Sequence, residues 1–88
     1  MTKNKVDSKN IDELMSSLTY SYLRVGDSTL TACWSFLPSG FQVGYGQASC
    51  INPDNYDPEI GKKLALEKCI VNSNEKLWEL EGYLLMNS

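Results

Sequence analysis

The chain contains no histidine and only one arginine, Arg24. Without histidine the commonest general base and the commonest transition-metal ligand are missing, so neither a histidine-based triad nor a zinc centre is expected within one copy of the chain. Basic residues are scarce as well. Eight Lys and Arg stand against eleven Asp and Glu, for a net charge of -3 and a pI near 4.7. That balance argues against DNA or RNA as partner, since a general nucleic-acid binder shows a basic face. It leaves room for a small anion held in a local pocket. No apolar run approaches the roughly 20 residues that span a bilayer, so no membrane is expected. The opening MTKNKVDSKN is polar and carries no export signal. The cysteines are three and widely spaced, at Cys33, Cys50 and Cys69. In a cytosolic setting they read as reduced thiols, and Cys33 and Cys50 as small packed side chains. A nucleophilic cysteine without histidine needs unusual activation. No catalytic residue, metal or cofactor is expected, and the chain is not read as an enzyme.

What the sequence does hold is enough for one small domain. Its 88 residues are 42% hydrophobic. A chain of that size buries only about 60–65% of its unfolded surface, so a homo-oligomer is a natural source of further burial. Residues 1–9 read as a polar tail and 10–88 as a single domain. Asn10 and Glu13 have the spacing of a capping box, and Ile11, Leu14, Met15 and Leu18 share a helical face, which predicts a helix over 11–18. The period then shortens to two. Tyr20, Tyr22 and Arg24 alternate with Ser21, Leu23 and Val25. Leu30, Ala32, Trp34 and Phe36 alternate with Thr31, Cys33 and Ser35. Phe41, Val43 and Tyr45 alternate with Gln42, Gly44 and Gly46. With turn signals at GDS (26–28) and PSG (38–40), these predict three short antiparallel strands. Asp57 as N-cap and Pro58 as first helical residue open a long helix to about Leu85. Leu64, Val71, Trp78 and Leu85, with Ile70, Leu77 and Leu84, give it a broad apolar arc. Glu67, Asn74 and Glu81 interrupt that arc, so either NSN (72–74) bends the helix or a partner chain covers this face.

Candidate sites are few. Gly44 and Gly46 form only a fragment of a dinucleotide fingerprint, with no helix opening directly after it, and read as glycines that relieve crowding or form a bulge. Asn52, Asp54, Asn55 and Asp57 lack the order of a calcium loop and read as turn and cap residues. Gly61, Lys62 and Lys63 stand at the helix start. Glycine there costs about 1 kcal/mol against alanine, so either tight packing or an anion at the helix N-terminus is expected to explain it. Trp34, Phe41, Tyr45 and Tyr56 can be core residues or platforms for a base. Arg24 offers a fork that suits phosphate oxygens.

Five stretches together carry a family resemblance: Ser39-Gly40-Phe41, Ala48-Ser49-Cys50, Asn55-Tyr56-Asp57, Glu59-Ile60-Gly61-Lys62-Lys63 and Trp78-Glu79-Leu80-Glu81-Gly82-Tyr83-Leu84. The segment 29–85 that contains them resembles a family of small tailed-phage proteins labelled gene product 49 / gene 66. Ser39 and Lys62 depart from the family pattern, where Asn and Arg are common. The chain is also similar to the first-described Thoeris anti-defence proteins, sponges that bind cyclic ADP-ribose-type signals without cleaving them and assemble as dimers or larger oligomers. The resemblance implies a phage protein in the host cytoplasm that sequesters a cyclic nucleotide. With the Gly61-Lys62-Lys63 helix start, it leads to expected ligand-binding residues: Trp34 or Phe41 for stacking, Asn55 for base or ribose, and Arg24, Lys62 and Lys63 for phosphates. The alternative expectation is an interaction module that grips a host protein through its C-terminal helix. The expected fold is α+β: a short N-terminal helix, a three-stranded antiparallel sheet and a long C-terminal helix, in an oligomer.

Overall fold

The elements run α1 (Ser8–Ser17), β1 (Thr19–Arg24), β2 (Thr31–Phe36), β3 (Gln42–Ala48), a single 3-10 turn (Pro53–Asn55) and α2 (Pro58–Met86). The structure is a computed structural model in which residues 8–86 are described, so most of the expected polar tail lies outside the described residues. The α+β order expected from the sequence is the order observed.

The strands form one antiparallel sheet, ordered β1-β2-β3. Both hairpins turn at a glycine in the left-handed region, Gly26 at φ 55 and Gly40 at φ 93, where any side chain would be strained. Ser28 N–H donates to Val25 O at 3.1 Å in the first turn, and Gly40 N–H to Leu37 O at 2.8 Å in the second. In register, Cys33 lies between Tyr22 and Gly46, and Trp34 between Ser21 and Tyr45. Side chains alternate across a sheet, so Tyr20, Tyr22, Cys33, Ser35 and Gly46 share one face. Leu23, Ala32, Trp34 and Tyr45 share the other.

α2 covers the first face, and it does so with small residues. Ala65, Cys69, Ser73 and Leu77, four apart, are all buried, and Ala65 and Cys69 pack with Cys33 and Ala48. Of the arc expected from hydrophobicity, Leu77 alone is buried among the side chains described. Leu64, Val71 and Trp78 stay 44%, 59% and 39% exposed. The reason is the short gap between helix and sheet. Gly44 and Gly46 of β3 lie directly against the backbone of α2 around Ala65, Cys69 and Ser73, and bulky side chains do not fit between them.

NSN does not break the helix. Asn72 Oδ1 accepts Tyr45 N–H at 2.9 Å and Ser73 Oγ donates to Cys69 O at 2.6 Å, so these polar residues are part of the helix-to-sheet contact. A second cluster of Ile11, Leu18, Val43 and Leu77 fixes α1 against the sheet and α2, with Leu14, Met15, Tyr20 and Leu37 around it. α1 begins at Ser8, ahead of the expected cap at Asn10. Asn10 Nδ2 instead donates to Glu81 Oε1 of α2, which explains one of the acidic residues that interrupted the arc.

With 29 residues, α2 is about 43 Å long, about twice the length of the strands. Its last turns therefore project past the sheet, and Tyr83, Leu84 and Met86 are exposed. Gly82 lies in this stretch, and a Cβ added there would meet nothing within 4 Å. Gly82→Ala is expected to stabilise the protein by about 0.5–1 kcal/mol, because alanine loses less backbone entropy in a helix. A rise in the urea midpoint at unchanged slope is the result that checks it.

Candidate functional site

Local hydrogen bonds build the start of α2. Asp57 Oδ1 accepts Glu59 N–H at 2.9 Å and its carbonyl accepts Gly61 N–H at 2.9 Å. Asn52 organises the turn before it: its Oδ1 accepts Asp54 N–H at 3.0 Å and its carbonyl Asn55 N–H at 3.0 Å. Cys50 N–H donates to Thr29 Oγ1 at 3.2 Å, tying the chain after β3 back to the β1–β2 connection. Between this segment and α2 lies a pocket of about 480 Å³. Ile51, Ile60 and Leu64 supply apolar lining, and Asn52, Asn55, Tyr56 and Asp57 supply polar groups.

Gly61 lines the same pocket, and its role is packing. A Cβ there would lie 2.9 Å from Thr31 Oγ1 and 3.6 Å from Tyr56 Cε1. The Tyr56 hydroxyl itself meets Thr31 Oγ1 at 3.3 Å. Glycine thus lets α2 approach β2 and lets Tyr56 lie between them.

Two of the expected phosphate ligands gather at this end. The Arg24 guanidinium lies over the Tyr56 ring, 4.7 Å from its centroid. Arg24 Nε donates to Ser28 O at 2.8 Å and Nη2 to Asp27 O at 3.4 Å. Of its five N–H groups, three are left for another acceptor. Lys62 Nζ lies 5.7 Å from the Tyr22 ring centroid. Asn55 lines the pocket. Lys63 is exposed, and none of Arg24, Lys62 and Lys63 is among the pocket's lining residues.

The two expected stacking residues lie elsewhere. Trp34 is on the sheet face turned away from α2, its ring 5.3 Å from that of Tyr45 at 55°. Phe41 is exposed at the β2–β3 turn and lines a separate, apolar hollow of about 430 Å³ with Leu37, Leu77 and Leu84. The aromatic side chain that does line the pocket is Tyr56. Its signal in the sequence is its place between Asn55 and Asp57 in the turn that leads into α2.

The thiols divide in two. Cys33 and Cys69 are buried and Cys50 is half-buried, its Sγ donating to Asn52 O at 3.1 Å. Burial, together with the neighbouring Cys69, pushes the Cys33 thiol up to about 12. In the native protein a disulfide reagent at mildly alkaline pH is therefore expected to label Cys50 alone, with Cys33 and Cys69 reacting only on unfolding. Three thiols labelled together without denaturant would contradict the burial. The same shift sets a pH dependence. The folded state holds the Cys33 proton more tightly than the unfolded chain, whose thiol titrates near 8.5. The resulting stability is complete below that value and is lost as pH rises through about 12. Burial raises Tyr20 as well, which acts in the same direction. Urea midpoints that fall across the alkaline range are the expected result.

Among the described residues no group of His, Cys, Asp and Glu side chains could hold a metal ion. Nor is any described helix long and apolar enough to cross a membrane.

Fold and site define a small α+β domain in which a helix start, a lone arginine and a pocket meet at one end of a three-stranded sheet. The protein belongs to the Phage protein (N4 Gp49/phage Sf6 gene 66) family, whose pattern matches residues 1–88. Comparison with curated proteins and with solved structures returns no match.

Proposed function

We propose that this phage protein binds a small cyclic nucleotide of the cyclic ADP-ribose type and withholds it, uncleaved, from the host defence that it signals to. The observation that carries this reading is the pocket at the start of α2, which combines an apolar lining, two asparagines and a tyrosine whose ring lies under the Arg24 guanidinium. The resemblance to sponge proteins read from the sequence motifs points the same way.

The chemistry divides the ligand. Pro58 has no N–H, and Asp57 takes those of Glu59 and Gly61, so the first turn of α2 offers the Ile60 amide and little else. The Asp57 carboxylate also opposes an anion close by. The phosphates therefore belong with Arg24 and Lys62, while Asn55 and Asp57 suit ribose hydroxyls and base N–H groups. Tyr56 takes the stacking role expected of Trp34 or Phe41. No chemical step is part of this reading: the pocket's thiol, Cys50, has no histidine to activate it.

The test is retention and recovery. Purified protein is mixed with cyclic ADP-ribose isomers and cyclic dinucleotides, freed of unbound ligand, and heat-denatured. Intact nucleotide in the released fraction is expected. Recovery of a cleaved product would make the protein an enzyme, and no retained nucleotide would sink the reading. Lys62→Glu is expected to weaken binding at least tenfold, since a hydrogen bond to a charged group is worth about 1.5–3 kcal/mol. Lys62 is exposed, so the fold should be kept, and unchanged affinity would remove it from the site.

A second reading rests on one observation. Val71 and Trp78 leave an exposed apolar stripe on α2, which suits a host protein gripped through that helix. In that case nucleotides give no binding, and charged substitutions at Val71 and Trp78 abolish function without unfolding the protein.

A further inference from the structure

The outer edge of β1 has no partner among the described residues, and the hydrogen-bond pattern identifies which of its groups are free. Val25 N–H donates to Leu30 O at 3.0 Å. Antiparallel pairs alternate between bonded and non-bonded. With Leu23 opposite Ala32 and Ser21 opposite Trp34, Thr19, Ser21 and Leu23 turn their N–H and C=O groups to β2. Tyr20, Tyr22 and Arg24 turn theirs outward, as three donors and three acceptors in a row. The opposite edge is treated differently. On β3 the outward Tyr45 N–H is taken by Asn72 Oδ1 at 2.9 Å, and α2 lies along that strand. β1 has no such cover, and five of its six residues are exposed. It also has no proline or lysine, and its register with β2 runs unbroken from Thr19 to Arg24. Of the usual devices that blunt an exposed edge, a single charge, Arg24 at the strand's end, is present.

We infer that β1 is a docking edge for β1 of a second copy, paired antiparallel about a two-fold axis at Tyr22. Self-complementarity selects the occupant. An antiparallel two-fold pairing must oppose residues whose backbones both face outward. Centred on Tyr22, it sets Tyr22 against its own equivalent and Tyr20 against Arg24 of the second copy. All three donors and all three acceptors of each strand are then used, in six hydrogen bonds. Centred on Ser21, the same strands make four and leave Arg24 unpaired. The Tyr22 register also meets no like charge directly opposite another, since Arg24 is the strand's one charged residue and faces a tyrosine ring. On the other face, Leu23 comes opposite Ser21. The result is a continuous six-stranded sheet with both α2 helices on one side. The inference is independent of the ligand proposed above.

Such an edge buries less than a standard interface, so the association is expected to be weak and concentration-dependent. The two Lys62 ammoniums, each beside a Tyr22 ring, come to the same face of the sheet across the axis and repel. The test is therefore run at physiological salt, where charges more than about 8 Å apart are largely screened.

Sedimentation of the full chain from micromolar to millimolar concentration is expected to pass from monomer to dimer. In the same range, amide exchange at Tyr20, Tyr22 and Arg24 is expected to slow by at least about 100-fold, while Ser21 and Leu23 are protected throughout. Tyr22→Pro removes a donor at the axis without touching the bonds between β1 and β2, a position where an edge strand admits proline. It is expected to weaken dimerisation at least tenfold. A monomer at every concentration would overturn the inference. So would a dimer whose Tyr20, Tyr22 and Arg24 amides still exchange freely. Both of these readouts use the native chain and stand whether or not the proline variant folds.

Discussion

Gly46→Ala is expected to destabilise the protein by more than about 3 kcal/mol, above the range of ordinary overpacking and enough to threaten folding of so small a domain. An added Cβ would collide with Ala65 O and Cys69 N, and would lie 2.9 Å from Lys68 C. All three are backbone atoms of α2. No side chain can rotate away, so the helix itself must lift from β3. Lifting it opens the contact among Cys33, Ala48, Ala65 and Cys69, which is half of the core. Urea unfolding measures the loss, and a Gly46→Ala variant within about 1 kcal/mol of the parent would show that α2 is free to move. The opposite sign expected for Gly82→Ala, in the same helix but with open space around it, separates close approach from glycine's general effect.

Ser35→Ala is expected to cost about 2–3 kcal/mol, although it removes a single oxygen. Ser35 and Ser73 are wholly buried and form a chain with one direction. Gly44 N–H donates to Ser35 Oγ at 2.9 Å, the two hydroxyls meet at 2.6 Å, and Ser73 Oγ donates to Cys69 O at 2.6 Å. Since Ser73 spends its proton on Cys69, Ser35 must donate to Ser73. Alanine at 35 leaves a buried amide of β3 unpaired where the helix backbone excludes water. Ser73→Ala is expected to cost less, about 1 kcal/mol, because it strands a hydroxyl that can turn. The double variant is expected to be more stable than the sum of the two losses implies, as members of one network couple. Additive losses would show that the two hydroxyls do not act as a chain.

The elements whose causes are local are legible in the sequence alone. Gly26 and Gly40 mark their turns, Asp57 and Pro58 open α2, and the alternation of Tyr20 through Arg24 marks a strand. Each depends on residues a few positions apart. The face that α2 buries is not legible in this way. Hydrophobicity points to Leu64, Val71 and Trp78, whereas contact is made by Ala65, Cys69 and Ser73. Their value lies in being small opposite Gly44 and Gly46, and that match joins segments some 20 to 30 residues apart in the chain. The site is partly legible for the same reason. Asn55 and Lys62 fall at one end because the turn and the helix start carry them there, and Arg24 because it ends β1. Trp34 and Phe41 are directed elsewhere by the strand register and its irregularity between Trp34 and Phe36. Asn10 shows a long-range partner overriding a local rule: its side chain meets Glu81 of α2 instead of capping α1.

Whether the pocket at the start of α2 holds a cyclic nucleotide can be decided by titration calorimetry of the native protein and of Tyr56→Ala, against the same panel of cyclic ADP-ribose isomers and cyclic dinucleotides. Saturable heat is expected with at least one ligand. Affinity is expected to fall at least tenfold once the Tyr56 ring, and with it the platform for a base and for Arg24, is gone. Heat with no ligand, or equal affinity in a folded Tyr56→Ala variant, would contradict a nucleotide site there.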